Sequence, residues 1–304
     1  MTVEPMDPVL TGPSTTVAGP ATPAAPARRR STRWPASRWA KFIPMAILIV
    51  LAVTGPWWVP FDPEKVIGGA SIAPGGDHLF GTDASGLDVF SRVIVATRTN
   101  LLIALTVAVL ATLIGCVFGL LIGMNESSRG PLGFVARACG RAVDLTEAVP
   151  AVLTGLVVVS FFGASATTLT GIMSVILSPI QIRLVRTEVL RVRNDAYLDA
   201  ARMAGLSEFG LTVRHVLPNS AWAALQNMSV IFAVSIIVTA ALGFIGVGLP
   251  PPAPEWGSML NAGAGDVISG RWWAAAFPAL FLFFAVAAAA LASQAIFGKR
   301  RTAR

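Results

Sequence analysis

The sequence predicts an all-α, polytopic membrane protein with six transmembrane helices and both termini in the cytoplasm. Three observations carry that expectation. Hydrophobic residues make up 54% of the 304 residues and charged residues 13%, about half the charged share of an ordinary soluble domain. Apolar runs approaching the ~20 residues that a spanning helix needs recur along the chain. The basic residues flank those runs, so the net charge of +7 reads as a topology signal and not as a nucleic-acid footprint. This balance excludes a soluble enzyme, a coiled coil and a wholly disordered chain. The 28 Gly and 21 Pro fit membrane helices, which tolerate both better than soluble ones do.

Taken in order, residues 1–40 are rich in Pro, Ala and Thr and carry Arg28, Arg29, Arg30, Arg33 and Arg38. Such a tail buries little and is expected to be disordered. It is too long and too Pro-rich for a signal peptide, which makes the first apolar run a retained anchor. Apolar runs follow at 41–58, 99–124, 143–162, 168–185, 223–247 and 272–297. The fourth is the least regular, running through Pro179 into Gln181 and Arg183. With the N-terminus inside, the segments 1–40, 125–142, 186–222 and 298–304, with the ends of their helices, collect nineteen of the 23 Lys and Arg. Outside remain Lys65, Arg92, Arg98 and Arg271, against seven acids. The positive-inside rule therefore sets the orientation.

The chain thus divides into the tail 1–40, a transmembrane domain over 41–298 and a basic tail at 299–304. Extracytoplasmic loops fall at 59–97 and 248–271, and a cytoplasmic loop at 186–222. Trp57, Trp58, Trp256, Trp272 and Trp273 suit the outer interface. Residues 87–97 have helical spacing and suggest a short interfacial helix before the second span. Gly115, Gly119 and Gly123 form a small-residue ladder for close packing within the chain. Arg141, Asp144 and Glu147 share one helix face at the inner start of the third span. Arg183 and Arg186 are expected to snorkel to the inner headgroups. Gly243, Gly246 and Gly248 prepare the turn that Pro250, Pro251 and Pro252 complete.

The cytoplasmic loop is the most informative stretch. Asn194 and Asp195 suit a helix start. Ala196, Ala200 and Ala204 lie four apart, with Ala201 beside them, and Gly205 can take the left-handed conformation that ends a helix. Pro218 is expected to break the chain before the next span begins. A short helix with a small-residue face suits docking into a groove of another protein. An ordinary amphipathic cytosolic helix fits the same pattern.

The spacing resembles the "EAA" loop of the membrane subunits of ABC importers: Asp199-Ala200-Ala201, three residues, Gly205, nine residues, His215, then Val216-Leu217-Pro218. Aspartate stands for the usual glutamate and His215 for the usual isoleucine. A second region agrees. His78-Leu79-Phe80-Gly81-Thr82-Asp83, then Gly86-Leu87-Asp88-Val89-Phe90-Ser91-Arg92, resembles the segment before the second span in the C-type permease subunit of dipeptide and oligopeptide importers, with Leu87 for the usual arginine. Pro254-Glu255-Trp256-Gly257-Ser258-Met259-Leu260 is similar to that family's segment before the last span. The resemblance covers residues 42–298.

It implies the type I ABC importer permease fold in a bacterial cell membrane, translocating dipeptides or short oligopeptides inward by alternating access. The loop helix would be the coupling helix, with Asp195, Tyr197, Asp199, Ala200, Ala201, Ala204, Gly205, Leu217 and Pro218 meeting a cytoplasmic ATPase. A non-identical sister permease subunit would complete the pathway within the membrane lipid. An extracytoplasmic peptide-binding protein would dock above, where Asp83, Asp88, Pro254, Glu255 and Trp256 are candidates for contact. The same branch of importers also carries nickel chelates, glutathione, haem and antimicrobial peptides. A different class, an ion-driven secondary transporter, would place acids at mid-membrane, where these spans have none. A scaffold would have no use for the coupling loop. No catalytic, cofactor-binding or metal-ligating set is expected. The chain has no phosphate loop, and the only lysine that follows a glycine, Lys299, precedes Arg300. ATP and magnesium would be bound by the partner ATPase.

Overall fold

The computed structural model describes residues 39–297, with the side chains of Ala196, Asp199, Ala200 and Arg202 excepted. The tail expected at 1–40, save its last two positions, and the basic tail at 299–304 lie outside the described residues. Among those residues the chain is helical, with two isolated β-bridges, Gly75–His78 and Thr82–Asp88, and no strand.

A 3₁₀ turn, Ala40–Phe42, leads into α1 (Ile43–Trp58). Then follow α2 (Val89–Asn125), α3 (Pro131–Thr146), α4 (Ala151–Phe162), α5 (Ala166–Val192), α6 (Ala196–Met203) and α7 (Glu208–Leu211). The last three helices are α8 (Leu217–Ile245), α9 (Trp256–Ile268) and α10 (Trp273–Phe297). Five helices are long and apolar enough to cross a bilayer: Ala40–Trp58, Val89–Asn125, Ala166–Val192, Glu208–Ile245 and Trp273–Phe297.

The third expected span, 143–162, is not one straight helix. Its residues belong to α3 and α4, which meet at an elbow of 94°. Pro150 has no N–H to continue the ladder, and it biases Val149 away from helix. The twelve residues of α4 rise only ~18 Å, well short of a ~30 Å hydrocarbon core. The pair crosses only as a bent unit.

The start of α2 also differs from the expected separate interfacial helix. The helix begins at Val89 and runs unbroken for 37 residues. Asp88 caps it, accepting from the Ser91 backbone N–H at 2.8 Å, which satisfies one of the first-turn donors. The small-residue ladder packs within the chain as expected. A Cβ on Gly119 would lie 2.7 Å from the Ile182 carbonyl and from Val185 Cβ, and one on Gly123 2.8 Å from Val189 Cβ. These glycines let α2 and α5 approach backbone to backbone.

Pro179 does not end the fourth span, because α5 repairs its own ladder. The carbonyl of Val175 loses its i+4 partner at Pro179, and Ser178 Oγ donates to it at 2.9 Å. Two residues on, the fully buried Gln181 joins three helices. Its Nε2 donates to Thr112 Oγ1 at 2.8 Å and to the Ala224 carbonyl at 3.2 Å. Its Oε1 accepts from Asn227 Nδ2 at 3.2 Å. Buried polar groups need such partners, so the glutamine is a tie between α2, α5 and α8.

The break expected at Pro218 does not occur. Residues Glu208–Ile245 form one continuous helical stretch, in which Thr212–Val216 is a π-helical turn. Leu217 donates its N–H to the Thr212 carbonyl. Pro218 therefore sits in the first turn of α8, where a missing N–H costs little.

Candidate functional site: the cytoplasmic loop and the outer cap

The segment 193–222 is built around one buried anchor. Leu198, on α6, is fully buried with Val185, Val189 and Val192 of α5, Leu211 of α7, and Val216 and Ala224. Burying a leucine contributes roughly 1.5–3 kcal/mol, which holds this eight-residue helix on the spans. At its end Gly205 has φ +86°, and the Leu206 N–H donates to the Ala201 carbonyl at 3.2 Å. That is the Schellman arrangement in which glycine takes the left-handed position. Tyr197 Oη accepts from Asn219 Nδ2 at 3.2 Å, and its ring meets that of His215 at 6.1 Å. The loop helix is thus tied to the start of α8 as well as to α5.

Of the residues expected to meet an ATPase, Asp195, Tyr197, Ala204, Gly205 and Pro218 are exposed, while Ala201 and Leu217 are half-buried. The side chains of Asp199 and Ala200 lie outside the described set. Two residues that the motif did not single out stand out on the same loop. Met203 is 83% exposed and Phe209 is 79% exposed. Both are apolar side chains left uncovered on a segment between spans. Apolar residues two positions before and four after Gly205 were the signal in the sequence.

Arginines connect the loop to the spans. Arg193 Nη1 donates to the Gly123 and Met124 carbonyls at 3.1 and 3.2 Å and to Ser127 Oγ at 3.1 Å. It satisfies the open carbonyls at the C-terminus of α2, where a cation is favoured. Arg186 holds Glu126 in a bidentate pair, Nε–Oε2 2.8 Å and Nη2–Oε1 2.7 Å, and reaches Asp144 at 3.3 Å. Hydrogen bonding to Arg186 holds the Glu126 carboxyl below the usual carboxylate range. Arg183 Nη1 meets Glu147 Oε2 at 2.6 Å. The two arginines expected to snorkel instead bind acids, and Asp144 and Glu147 pair across to α5 and not along their own helix.

On the opposite side, 59–88 and 246–272 form a cap. Gly81 has φ +74° and its Cβ position is occupied by the Ile72 carbonyl and the Trp273 ring. Only glycine fits there. Thr82 Oγ1 donates to the Gly69 carbonyl at 2.7 Å and accepts from the Ile72 N–H at 2.8 Å. Asp83 Oδ1 accepts from the Ser85 and Leu87 N–H groups. Asp88, besides capping α2, meets His78 Nδ1 at 3.0 Å. Arg92, itself buried, donates to the Pro63 and Pro252 carbonyls at 3.3 and 3.2 Å, drawing the two outer segments together. Trp256 Nε1 donates to the Val93 carbonyl and Trp273 Nε1 to the Thr82 carbonyl. The Glu255 carboxylate caps α9 through Gly257 and Ser258, both at 2.7 Å. Burial pushes its pKa up to about 6, outweighing those two backbone donors, which pull it down.

All five residues put forward for contact with an outer partner, Asp83, Asp88, Pro254, Glu255 and Trp256, are buried. Their side chains form the inside of the cap. Its most exposed large apolar residues are Val66, Leu79, Ile268 and Trp272. Likewise Trp57, Trp58 and Trp272 are free for a membrane interface, while Trp256 and Trp273 are core residues.

Comparison with known proteins matches residues 111–303 to the family described as binding-protein-dependent transport system inner membrane component. The di/tripeptide transport system permease protein DppC of Pseudomonas aeruginosa is 33% identical over 251 residues, 80% of each chain. The glutathione transport system permease protein GsiD of Pectobacterium atrosepticum is 31% identical over 244 residues, 80% of this chain and 79% of that one. The helical architecture and the matched length agree: the chain belongs to the family of binding-protein-dependent transport system inner membrane components, the ABC importer permease subunits that cross the bacterial cell membrane several times.

Proposed function

We propose that the chain is one of two non-identical permease subunits of an importer for dipeptides or short oligopeptides. The carrying observation is the cytoplasmic loop. A short helix is pinned to α5 and α8 by Leu198 and leaves Met203 exposed at its end, with Phe209 exposed on the adjoining α7. A separate ATPase, binding ATP and magnesium, would take those two side chains into an apolar cleft. Its closure would pull on α6, and Arg193 would pass the displacement to α2 within three residues of chain. The pathway would lie between this chain and its sister. An extracytoplasmic peptide-binding protein would rest on the exposed part of the outer cap, around Val66, Leu79 and Ile268.

The peptide cargo follows the di/tripeptide relative. The glutathione relative supports a second cargo, itself a small peptide. Affinity purification from native membranes in mild detergent, with mass spectrometry of what accompanies the chain, tests the assembly. An ATPase, a second permease and a binding protein are expected. A chain that comes out alone would refute the ATP-coupled reading. Uptake of labelled dipeptide with glutathione as competitor then separates the cargoes.

A further inference from the structure

The elbow between α3 and α4 stands off from α5 and leaves a cavity of 630 Å³. One wall includes Thr146, Glu147, Pro150 and Thr154, and the other is the stretch of α5 from Val175 to Ile182. Glu147 is the one charged residue among those lining it. Its partner, Arg183, stands outside the lining at 2.6 Å, and the two side chains are 25% and 60% exposed respectively. The neighbouring clasp is different. There Arg186 is only 19% exposed and grips two acids, Glu126 in bidentate fashion. That clasp is structural, whereas the Glu147–Arg183 pair is a single contact with an open arginine. Pairs of that kind hold weakly and exchange partners with water readily.

An ammonium group that passes an apolar wall loses hydration unless a carboxylate replaces it. On this wall Glu147 is the group that can do so. We propose that Glu147 is a transient subsite for the cationic end of the cargo, the free α-ammonium of a peptide, which displaces the Arg183 guanidinium on entering the cavity. The proposal rests on the peptide-import reading above. The apolar remainder of the lining gives side chains of varied size an undemanding surface, and the charge fixes only the end that every free-amino peptide shares.

The test uses the whole importer in proteoliposomes, with loaded binding protein outside and labelled trialanine as cargo. Glu147→Gln should lower the uptake rate about three- to tenfold, the usual size for loss of one charge-assisted hydrogen bond in a partly wet site. Arg183→Gln breaks the same ion pair but leaves the acid open to cargo, and should raise uptake up to about twofold. Thr154→Trp keeps the pair and fills the cavity, and should abolish uptake. Co-purification of the ATPase shows that each variant has assembled. Should Glu147→Gln not assemble, Arg183→Gln and Thr154→Trp decide. Loss in Arg183→Gln, no loss in Glu147→Gln, or normal uptake in Thr154→Trp overturns the subsite. No trialanine uptake by the unaltered importer, by contrast, overturns the peptide reading itself.

Discussion

Replacement of Gly205 separates a backbone requirement from a contact requirement in the cytoplasmic loop. The residue has φ +86°, and among the described residues no atom lies within 4 Å of the position its Cβ would take. An added Cβ therefore meets none of the described atoms, and its penalty is conformational. Left-handed backbone costs an L-residue roughly 1–2 kcal/mol. Asparagine pays least, and a β-branched residue pays more. The α6 helix is held chiefly by Leu198, whose burial contributes roughly 1.5–3 kcal/mol. A penalty of about 2 kcal/mol at Gly205 is thus of the same order as the anchor. It lowers the population of the capped loop by a factor on the order of 30. Uptake in proteoliposomes should fall in the order Gly, Asn, Ala, Val, with ATP hydrolysis less affected than transport. Wild-type uptake by Gly205→Val would refute the coupling role. Equal losses in the Asn, Ala and Val variants would refute the backbone argument and place a partner's surface against Gly205 instead.

Gln181→Leu strands the Thr112 hydroxyl and the Asn227 amide, each costing about 1–3 kcal/mol, and should lower the thermal midpoint of the purified protein in detergent by several degrees. Met203→Ser with Phe209→Ser should leave that midpoint nearly unchanged, since both side chains are exposed, while abolishing retention of the ATPase during purification. Glu255 should make the outer cap pH-sensitive. Its pKa is raised by burial to about 6 from 4.5, so its stabilising effect is complete below pH ~4.5 and is lost as pH rises through about 6. The shift is worth on the order of 2 kcal/mol. Exchange of the Gly257 and Ser258 amides, corrected for intrinsic rate, should be slower at pH 5 than at pH 7.5, and Glu255→Gln should remove that difference.

The spans at 41–58, 99–124, 168–185, 223–247 and 272–297 were legible because a bilayer demands length and apolarity, and both are properties of the sequence itself. Their polar continuations were not. The first turns of α2 carry Arg92 and Arg98 and read as a separate interfacial helix, yet Asp88 caps one continuous helix and the Pro63 and Pro252 carbonyls receive Arg92. Main-chain partners brought from 29 and 160 residues away leave no mark in local composition. The same blindness made Asp83, Asp88 and Glu255 look like surface acids, when backbone N–H groups hold each of them inside. The elbow at Pro150 was hidden differently. A proline near the start of an apolar run is compatible with a helix that begins there, and nothing local says that the preceding residues form a second helix at a steep angle. The cytoplasmic loop was the easiest part to read, because Gly205 and the alanines encode a backbone geometry that few other residues supply. Met203 and Phe209 escaped notice because an apolar residue reads as core until its exposure is seen.

The two sides of the spans are held by different physics, and this bears on where the chain yields. On the outer side carboxylates and indoles bond to main chain in buried surroundings, where loss of one partner leaves an unpaired polar group. On the inner side the elbow is held by the Arg183–Glu147 pair and by the longer Arg186–Asp144 contact, each with one partly wet partner, and such contacts cost little to open. Gln181 lies between, fixed to α2 and α8 by bonds to Thr112, Ala224 and Asn227. A force on α6 therefore meets its least resistance below Gln181, at the pairs to Glu147 and Asp144, and the α3–α4 elbow is the part freed first. Local opening tracks buried contacts and protected hydrogen bonds. Amide exchange should accordingly be fastest at 144–154, where nearly every residue is exposed or half-buried, and slowest at 100–112 in α2, whose inward face is buried throughout. Breaking the clasp with Arg186→Gln should speed exchange in the first segment severalfold and leave the second unchanged. Equal acceleration in both would show that the spans open as one unit, and the division drawn at Gln181 would fall.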